Sequence, residues 1–453
     1  MKASVIGLGK LGAPLAAVLA SRGLEVTGVD VNPDFVRLLA AGRAPVDEPG
    51  LQKLVDDHRA RLSATADYEA AVAASEVSFV IVPTPSDSQG GFSNKYVLSA
   101  VAAIGQALRK KRDYHVVNIT STVMPGSTGG EIRQALEAAS GREVGKHVGL
   151  CYNPEFVALG TVIRDMLYPD MILIGESDAR AGDLLEKIYR ATCDNNPPVR
   201  RMNWVNAEIT KISVNTYVTT RISYANMLAE ICERLPGADV DVVTGALGTD
   251  SRIGSKYLKG ALGYGGPCFP RDNVAFGRLA RDLGARADLA EATDQLNRHQ
   301  IGRLAAAAVK LLDGGSRVGV LGLSYKPGTG VIEESQGLAL AARLSEERLE
   351  VYVHDPMALP GAMAILQDKV VPLSSPEECV KAVDVLVITT PWPEYAEIPA
   401  AAFARPHGRL QVLDCWRILN REKLAGVADI HYLGVGAAEP RERIRAVPRE
   451  RRS

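Results

Sequence analysis

Short apolar runs alternate with segments of helical periodicity at both ends of the chain. Residues 3–6, 25–29, 77–82, 115–119 and 171–174 read as strands, while Leu11, Leu15, Val18 and Leu19 recur at helical spacing. This rhythm predicts a doubly wound parallel sheet. The middle differs. Residues 203–234 contain no Gly or Pro, and Val205, Ile209, Ile212, Val218, Ile222, Ala225 and Ala229 sit mostly three or four apart, predicting one helix of about 30 residues. More helix is expected to about residue 313. Strands then return at 317–321, 350–354, 385–389 and 411–413. The expected fold is therefore α/β: two Rossmann-like parallel-sheet domains joined by a long helix and a helical region. The expected divisions are 1–200, 201–300 and 301–436. Residues 437–453, rich in Arg, Glu and Pro without apolar periodicity, read as a disordered tail.

Composition narrows the class. The 453 residues carry 52 Lys+Arg against 53 Asp+Glu, a formal charge of −1, which argues against a nucleic-acid partner. No run approaches the length of a membrane span, so no membrane partner is expected. Six cysteines are scattered without a CxxC pair, giving no zinc or disulfide framework. Metal is not implied, and a reducing cytoplasm is the expected home.

Gly7-x-Gly9-x-x-Gly12 lies between a predicted strand and helix, and Asp30 follows Gly12 by 18 residues at the next strand's end. The glycines allow a tight turn and close approach to a pyrophosphate, and Asp30 can accept from ribose hydroxyls. Asp30 would repel a 2′-phosphate, so NAD is expected rather than NADP. Asp355 occupies the corresponding place in the second unit, which lacks a GxGxxG. Residues 260–272 hold four glycines and two prolines around Cys268. On these features alone Cys268 is either an inert small residue or a nucleophile activated by loop amides and Arg271. Lys211 and Asn215, four apart on the long helix, are either a solvated face or donors to a developing oxyanion. Glu155, after a strand end, is either an ordinary loop acid or an activator of water. Pro83-Thr84 and Thr122 also follow strand ends.

Taken together, these segments resemble the UDP-glucose/GDP-mannose dehydrogenase family, to about residue 420. The resemblance rests on the N-terminal GxGxxG, Glu48-Pro49-Gly50-Leu51, Val82-Pro83-Thr84-Pro85, Ser121-Thr122-Val123, Asn153-Pro154-Glu155-Phe156, Lys211 with Asn215, and Gly322-Leu323-Ser324-Tyr325-Lys326-Pro327. Its most specific part is Gly263-Tyr264-Gly265-Gly266-Pro267-Cys268-Phe269-Pro270-Arg271-Asp272. It implies an N-terminal NAD domain, a central dimerisation region and a C-terminal nucleotide-sugar domain. The implied reaction oxidises a sugar C6 alcohol to a carboxylate with two NAD+. Lys211 and Asn215 would hold the C6 oxygen. Cys268 would form a thiohemiacetal and then a thioester, and Glu155 would activate the hydrolytic water, aided by Asp272 and Thr122. The cofactor would meet Gly7, Gly9, Lys10, Leu11, Gly12, Asp30, Pro83, Thr84, Thr122 and Glu155. The substrate would meet Glu155, Phe156, Val157, Lys211, Asn215, Tyr257, Leu258, Gly265, Cys268, Tyr325 and Lys326, with Arg252 reaching a neighbouring subunit's sugar site. The segment 252–260 resembles the UDP-glucose branch more than the GDP-mannose branch, implying UDP-glucose as substrate and UDP-glucuronate as product.

Three departures stand out. Leu159 replaces a usual second acid after Asn-Pro-Glu-Phe, Glu333 replaces an arginine, and Asp414-Cys415-Trp416 displaces the usual Asp-Gly-Arg so that Arg417 falls one place late. The alternatives are a related 6-dehydrogenase for UDP-N-acetylhexosamine or GDP-mannose, a single-oxidation hydroxyacid dehydrogenase, and a non-catalytic nucleotide-sugar-binding protein.

Overall fold

The computed structural model describes residues 1–437. The expected tail at 437–453 lies outside them apart from Ala437. By compactness the chain forms two units, Met1–Asn215 with Arg271–Ala287, and Thr216–Pro270 with the chain from Asp288 onward.

The first unit is built on strands β1 (Lys2–Ile6), β2 (Glu25–Val29), β3 (Leu62–Thr65), β4 (Val77–Val80), β5 (Val116–Ile119), β6 (Gly149–Tyr152), β7 (Ile172–Glu176) and β8 (Val199–Met202). Their order is β3-β2-β1-β4-β5-β6-β7-β8. All neighbours are parallel except β6 and β7, which pair antiparallel through Cys151 with Glu176 and Tyr152 with Gly175. Helices cover both faces. Leu15, Val18 and Leu19 of the first helix pack on one face with Val5 and Val26, and Val97, Val101 and Ile104 pack on the other with Val80 and Val117. Central strands β4, β5 and β6 are buried at every position, which is why β4 and β5 read as largely apolar runs, with only Ser78 and Asn118 polar. The edge strands β3 and β8 do not. Arg200 and Arg201 interrupt β8, and Arg201 pairs with Glu176 at 2.8 Å.

The second unit holds β9 (Arg317–Leu321), β10 (Glu350–His354), β11 (Val371–Pro372), β12 (Val385–Ile388), β13 (Leu410–Asp414) and β14 (Ala428–Tyr432). They form an all-parallel sheet in the order β11-β10-β9-β12-β13-β14. Both sheets reverse direction of winding beside their first strand, where open α/β sheets bind ligands. The long helix is Trp204–Glu233, 30 residues, as its spacing predicts. No helix among the described residues is long and apolar enough to cross a membrane.

Candidate functional site

The β1 turn is held open for a ligand. Gly7 has φ +101°, and a Cβ there would lie 2.3 Å from the Ile81 carbonyl oxygen; one on Gly12 would lie 1.8 Å from the Gly7 oxygen. Those two glycines are required by packing. Gly9 is different: a Cβ there would meet nothing within 4 Å, so its backbone faces open space. Asp30 is fixed by the Leu8 amide, which donates at 2.6 Å, and the Asn32 amide, at 2.7 Å. Gly7, Gly9, Lys10, Leu11, Gly12 and Asp30 border a cleft of about 440 Å³ that Tyr68, Pro83 and Tyr96 also line. An open glycine turn, a helix N-terminus and an acid at the next strand end fit NAD. Thr84, Thr122 and Glu155 lie outside that lining. Thr84 is buried, and its carbonyl accepts from Arg271 Nη1 at 2.9 Å. Thr122 is half-buried beyond β5, beside Ser121, whose hydroxyl donates to the Val82 oxygen and accepts from the Val82 amide, both at 2.8 Å.

A second cluster of the first unit gathers four expected site residues. Lys211 Nζ donates to the Glu155 carbonyl at 2.6 Å and lies 4.5 Å from the centre of the Phe156 ring. One turn on, Asn215 Nδ2 donates to Asp272 Oδ2 at 2.7 Å. Asp272 is buried; among the described residues its Oδ1 accepts no hydrogen bond and sits 3.5 Å from Arg271 Nε. Burial pushes the Glu155 carboxyl up to about 7, against a Tyr189 hydrogen bond and the Lys211 charge, which both favour its ionised form.

The loop carrying Glu155 is anchored at both ends. Asn153 Nδ2 donates to the Leu173 oxygen at 2.8 Å, and Glu48 accepts from the amides of Gly160 and Val162 at 2.9 and 2.8 Å. Val157 and Leu159 both pack against the apolar core beneath the loop. Leu159 thus turns a position where the resemblance expects an acid into a core contact. Two residues that sequence reasoning missed complete the arrangement. Tyr189 donates to Glu155 Oε1 at 3.2 Å and also to Asn153 Oδ1. Buried Glu208 accepts from the amides of Gly126 and Thr128 at 2.6 and 2.8 Å, tying the loop after Thr122 to the long helix. Glu208 lies three and seven residues before Lys211 and Asn215 on the same side of the helix, which was the only available signal for it; Tyr189 offered none.

In the second unit the cysteine loop is strapped down by backbone-directed amides. Asn226 accepts from the Ala261 amide at 3.0 Å and donates to the Leu262 oxygen at 2.8 Å, and Asn297 does the same for Tyr264 at 2.8 and 3.0 Å. The Gly266 amide donates to the Glu333 oxygen at 3.0 Å. A Cβ on Gly265 would lie 2.3 Å from the Glu334 oxygen, and one on Gly266 would lie 2.7 Å from the Tyr325 ring. The Glu333 position therefore acts on the loop through its backbone. All six cysteines are thiols; five are buried and Cys268 is exposed. Cys268 immediately precedes the helix Phe269–Asp282, which carries Asp272 on its first turn. Tyr257 is half exposed with φ +62° and meets Phe269 edge-on at 6.4 Å, while Leu258 is buried. Lys326 Nζ lies 5.7 Å from the Tyr325 ring centre. Arg252 is exposed and pairs with Asp250 at 2.6 Å.

Two residues do not take the places their sequence positions suggested. Asp355 is buried and accepts from the amides of Leu323, Ser324, Met357 and Ala358 and from Trp392 Nε1, so it has no room for a ribose hydroxyl. Arg417, the displaced arginine, pairs with Asp239 at 2.7 Å and Asp241 at 3.0 Å, its side chain only 14% exposed. It is committed to the protein rather than offered to a ligand.

Family models match three consecutive stretches of the chain. The NAD binding domain of the UDP-glucose/GDP-mannose dehydrogenase family matches residues 1–193, its central domain 205–299 and its UDP binding domain 319–421. The UDP-glucose 6-dehydrogenase AglM of Haloferax volcanii is 36% identical over 427 residues, 93% of this chain and 98% of that protein. The GDP-mannose 6-dehydrogenase of Pseudomonas aeruginosa is 34% identical over 361 residues, 78% of this chain and 81% of that protein. The solved structure of a UDP-glucose dehydrogenase from the hyperthermophilic archaeon Pyrobaculum islandicum matches with TM-score 0.86 at 35% identity, covering 96% of this chain and 98% of that one.

Proposed function

The chain belongs to the UDP-glucose/GDP-mannose dehydrogenase family, as an NAD-dependent nucleotide-sugar 6-dehydrogenase, and from that premise we propose that it oxidises UDP-glucose at C6 to UDP-glucuronate through a thioester on Cys268. The observation that carries the covalent route is the exposure of this one thiol among six. UDP-glucose is supported by extent of likeness: the Haloferax relative named for it aligns over 93% of the chain, the Pseudomonas relative named for GDP-mannose over 78%. Residues 1–200 hold NAD, 201–300 carry the cysteine loop and dimer face, and 301–436 hold the nucleotide sugar.

NAD, when bound, accepts hydride from the sugar carbon at each of the two oxidations. The chain's own groups do the rest. Lys211 and Asn215 hold the C6 oxygen and stabilise the charge that develops on it, and a water or Lys211 takes the hydroxyl proton as the hydride leaves, giving the aldehyde. The Cys268 sulfur bonds to the aldehyde carbon, with the carbonyl oxygen taking a proton, and so keeps the half-oxidised sugar attached. Loss of hydride and that proton leaves a thioester. Glu155 takes a proton from water as the water attacks the thioester carbonyl, and the C–S bond breaks to return the thiol. A carboxyl held near 7 suits that role at neutral pH. Asp272 orients Asn215, and Thr122 contributes to water placement. Tyr257, Leu258, Gly265, Tyr325 and Lys326 bind substrate, and Arg252 extends to a neighbouring subunit.

A working thiol calls for a reducing compartment, the cytoplasm. The active species is a homodimer, supported by Tyr217, Tyr224, Met227 and Ile231, which line one exposed stripe of the long helix.

The deciding experiment follows NADH absorbance to completion with limiting UDP-glucose and weighs the product. Two NADH per sugar and a uronate are expected. One NADH with an aldehyde or a stalled adduct sinks the hydrolytic half, and no NADH sinks the substrate assignment. Cys268→Ser should lower net turnover by about a thousandfold or more.

A further inference from the structure

The reversed strand β7 builds a feature at the sheet edge opposite the NAD cleft. The dinucleotide turn follows the C-terminal end of β1, whereas β5 and β6 begin at the other edge. Because β7 runs antiparallel to β6, its C-terminal end returns to that other edge, and the Ser177 amide donates to the Leu150 oxygen at 3.0 Å. The next helix, Ala179–Thr192, therefore starts beside the loops that precede β5 and β6. These segments enclose a concavity of about 470 Å³ lined by Arg112, Arg142, Lys146, His147 and Arg180 around Tyr114.

The charges there are poorly matched. Lys146 pairs with Glu143 at 2.8 Å. Asp178 is occupied: both its oxygens accept from the Tyr114 hydroxyl at 2.8 Å, and Ser177 and the Ala181 amide also donate to it. Among the described residues, Arg112, Arg142 and Arg180 have no carboxylate partner. Arg142 is held by donating to the Asp113 carbonyl at 3.1 Å, and Arg180 stacks 4.0 Å over the Tyr114 ring. Arg142 and Arg180 are thus positioned on a carbonyl and a ring, groups that carry no net charge themselves. Guanidinium forks match phosphate oxygens bidentately, and like charges converging on one concavity attract a multivalent anion. The volume exceeds what a single phosphate fills and falls in the range of small-ligand sites.

We propose that this concavity is a second ligand site of the molecule, separate from the NAD cleft, and that it binds a polyphosphate, either inorganic or as a nucleoside triphosphate. The test titrates the full-length protein, saturated with NAD to fill the first site, with inorganic triphosphate and separately with ATP in a calorimeter. Saturable binding is expected for both. Equal affinity assigns recognition to the phosphates alone, and tighter binding of ATP adds the nucleoside; both support the site. The variant R142A/R180A should weaken binding by about tenfold or more and leave the KM for NAD unchanged. Arg112→Glu, at an exposed side chain with no hydrogen-bond or ion-pair partner among the described residues, provides a second variant that should keep the fold and weaken binding as strongly. Absence of saturable binding at millimolar triphosphate, or binding that survives both variants, overturns the proposal.

Discussion

Glu155 keeps its proton to about pH 7 because burial disfavours its charge, although Lys211 and Tyr189 oppose that shift. If it is the base for thioester hydrolysis, turnover should rise with pH through a midpoint near 7. Tyr189→Phe removes a hydrogen bond that favours the carboxylate, so the midpoint in a pH–kcat profile should move to higher pH, by about half a unit to one unit. A profile unmoved by this variant would deny Tyr189 a positioning role. His115 shows the opposite arrangement. Its ring is buried between the Ser78 hydroxyl at 2.8 Å and the Ser75 carbonyl at 3.1 Å, and burial pushes its pKa down to about 3. Between about pH 6.5 and 3 the unfolded chain binds a proton that the folded chain refuses, so stability falls as pH drops through that window. The slope from this one group is at most about 1.4 kcal/mol per pH unit. Urea midpoints measured at pH 7 and pH 5 should converge in His115→Asn, a residue that cannot titrate.

Among the elements, the cysteine loop depends on absent side chains. A methyl group on Gly265 would meet the Glu334 carbonyl at 2.3 Å, and that backbone cannot retreat without disturbing the Glu333 oxygen that accepts from Gly266. Gly265→Ala should cost about 1–3 kcal/mol of stability and displace Cys268. Its signature would be a changed rate of Cys268 alkylation by iodoacetamide, read by mass spectrometry, together with a large fall in kcat. Unchanged alkylation and kcat would show that the loop tolerates the shift. The strand pattern was legible where β4, β5 and β12 are buried throughout and therefore mostly apolar, Ser78 and Asn118 being the polar exceptions. Edge strands β3, β8, β11 and β14 carry exposed or polar positions, so no period or run marked them.

For the whole molecule, the exposed stripe Tyr217, Tyr224, Met227 and Ile231 is the surface on which an oligomer would depend. Sedimentation of the native protein should give a dimer, and Tyr224→Arg with Ile231→Glu should give a folded monomer, since two buried charges without partners disfavour the interface. A native monomer would refute the dimer. If the stripe does bury on association, Arg252 gains a neighbouring subunit to reach, and the monomeric variant should lose activity as well as mass.

The alternation of strand and helix, the glycine turn with Asp30, the long helix and the position of Cys268 were all readable from residues a few places apart, because periodicity and turn chemistry are local. So was the family, through motifs in a fixed order. What the residues experience was not. The protonation of Glu155 depends on Tyr189, 34 residues away. The saturation of Asp355 involves Trp392, and the capture of Arg417 involves Asp239, 178 residues distant in sequence. The exposure of Cys268 rather than its five fellows and the reversal of β7 likewise follow from packing between distant segments. Burial and pairing are properties of the folded neighbourhood, and only the tertiary structure decides who the neighbours are.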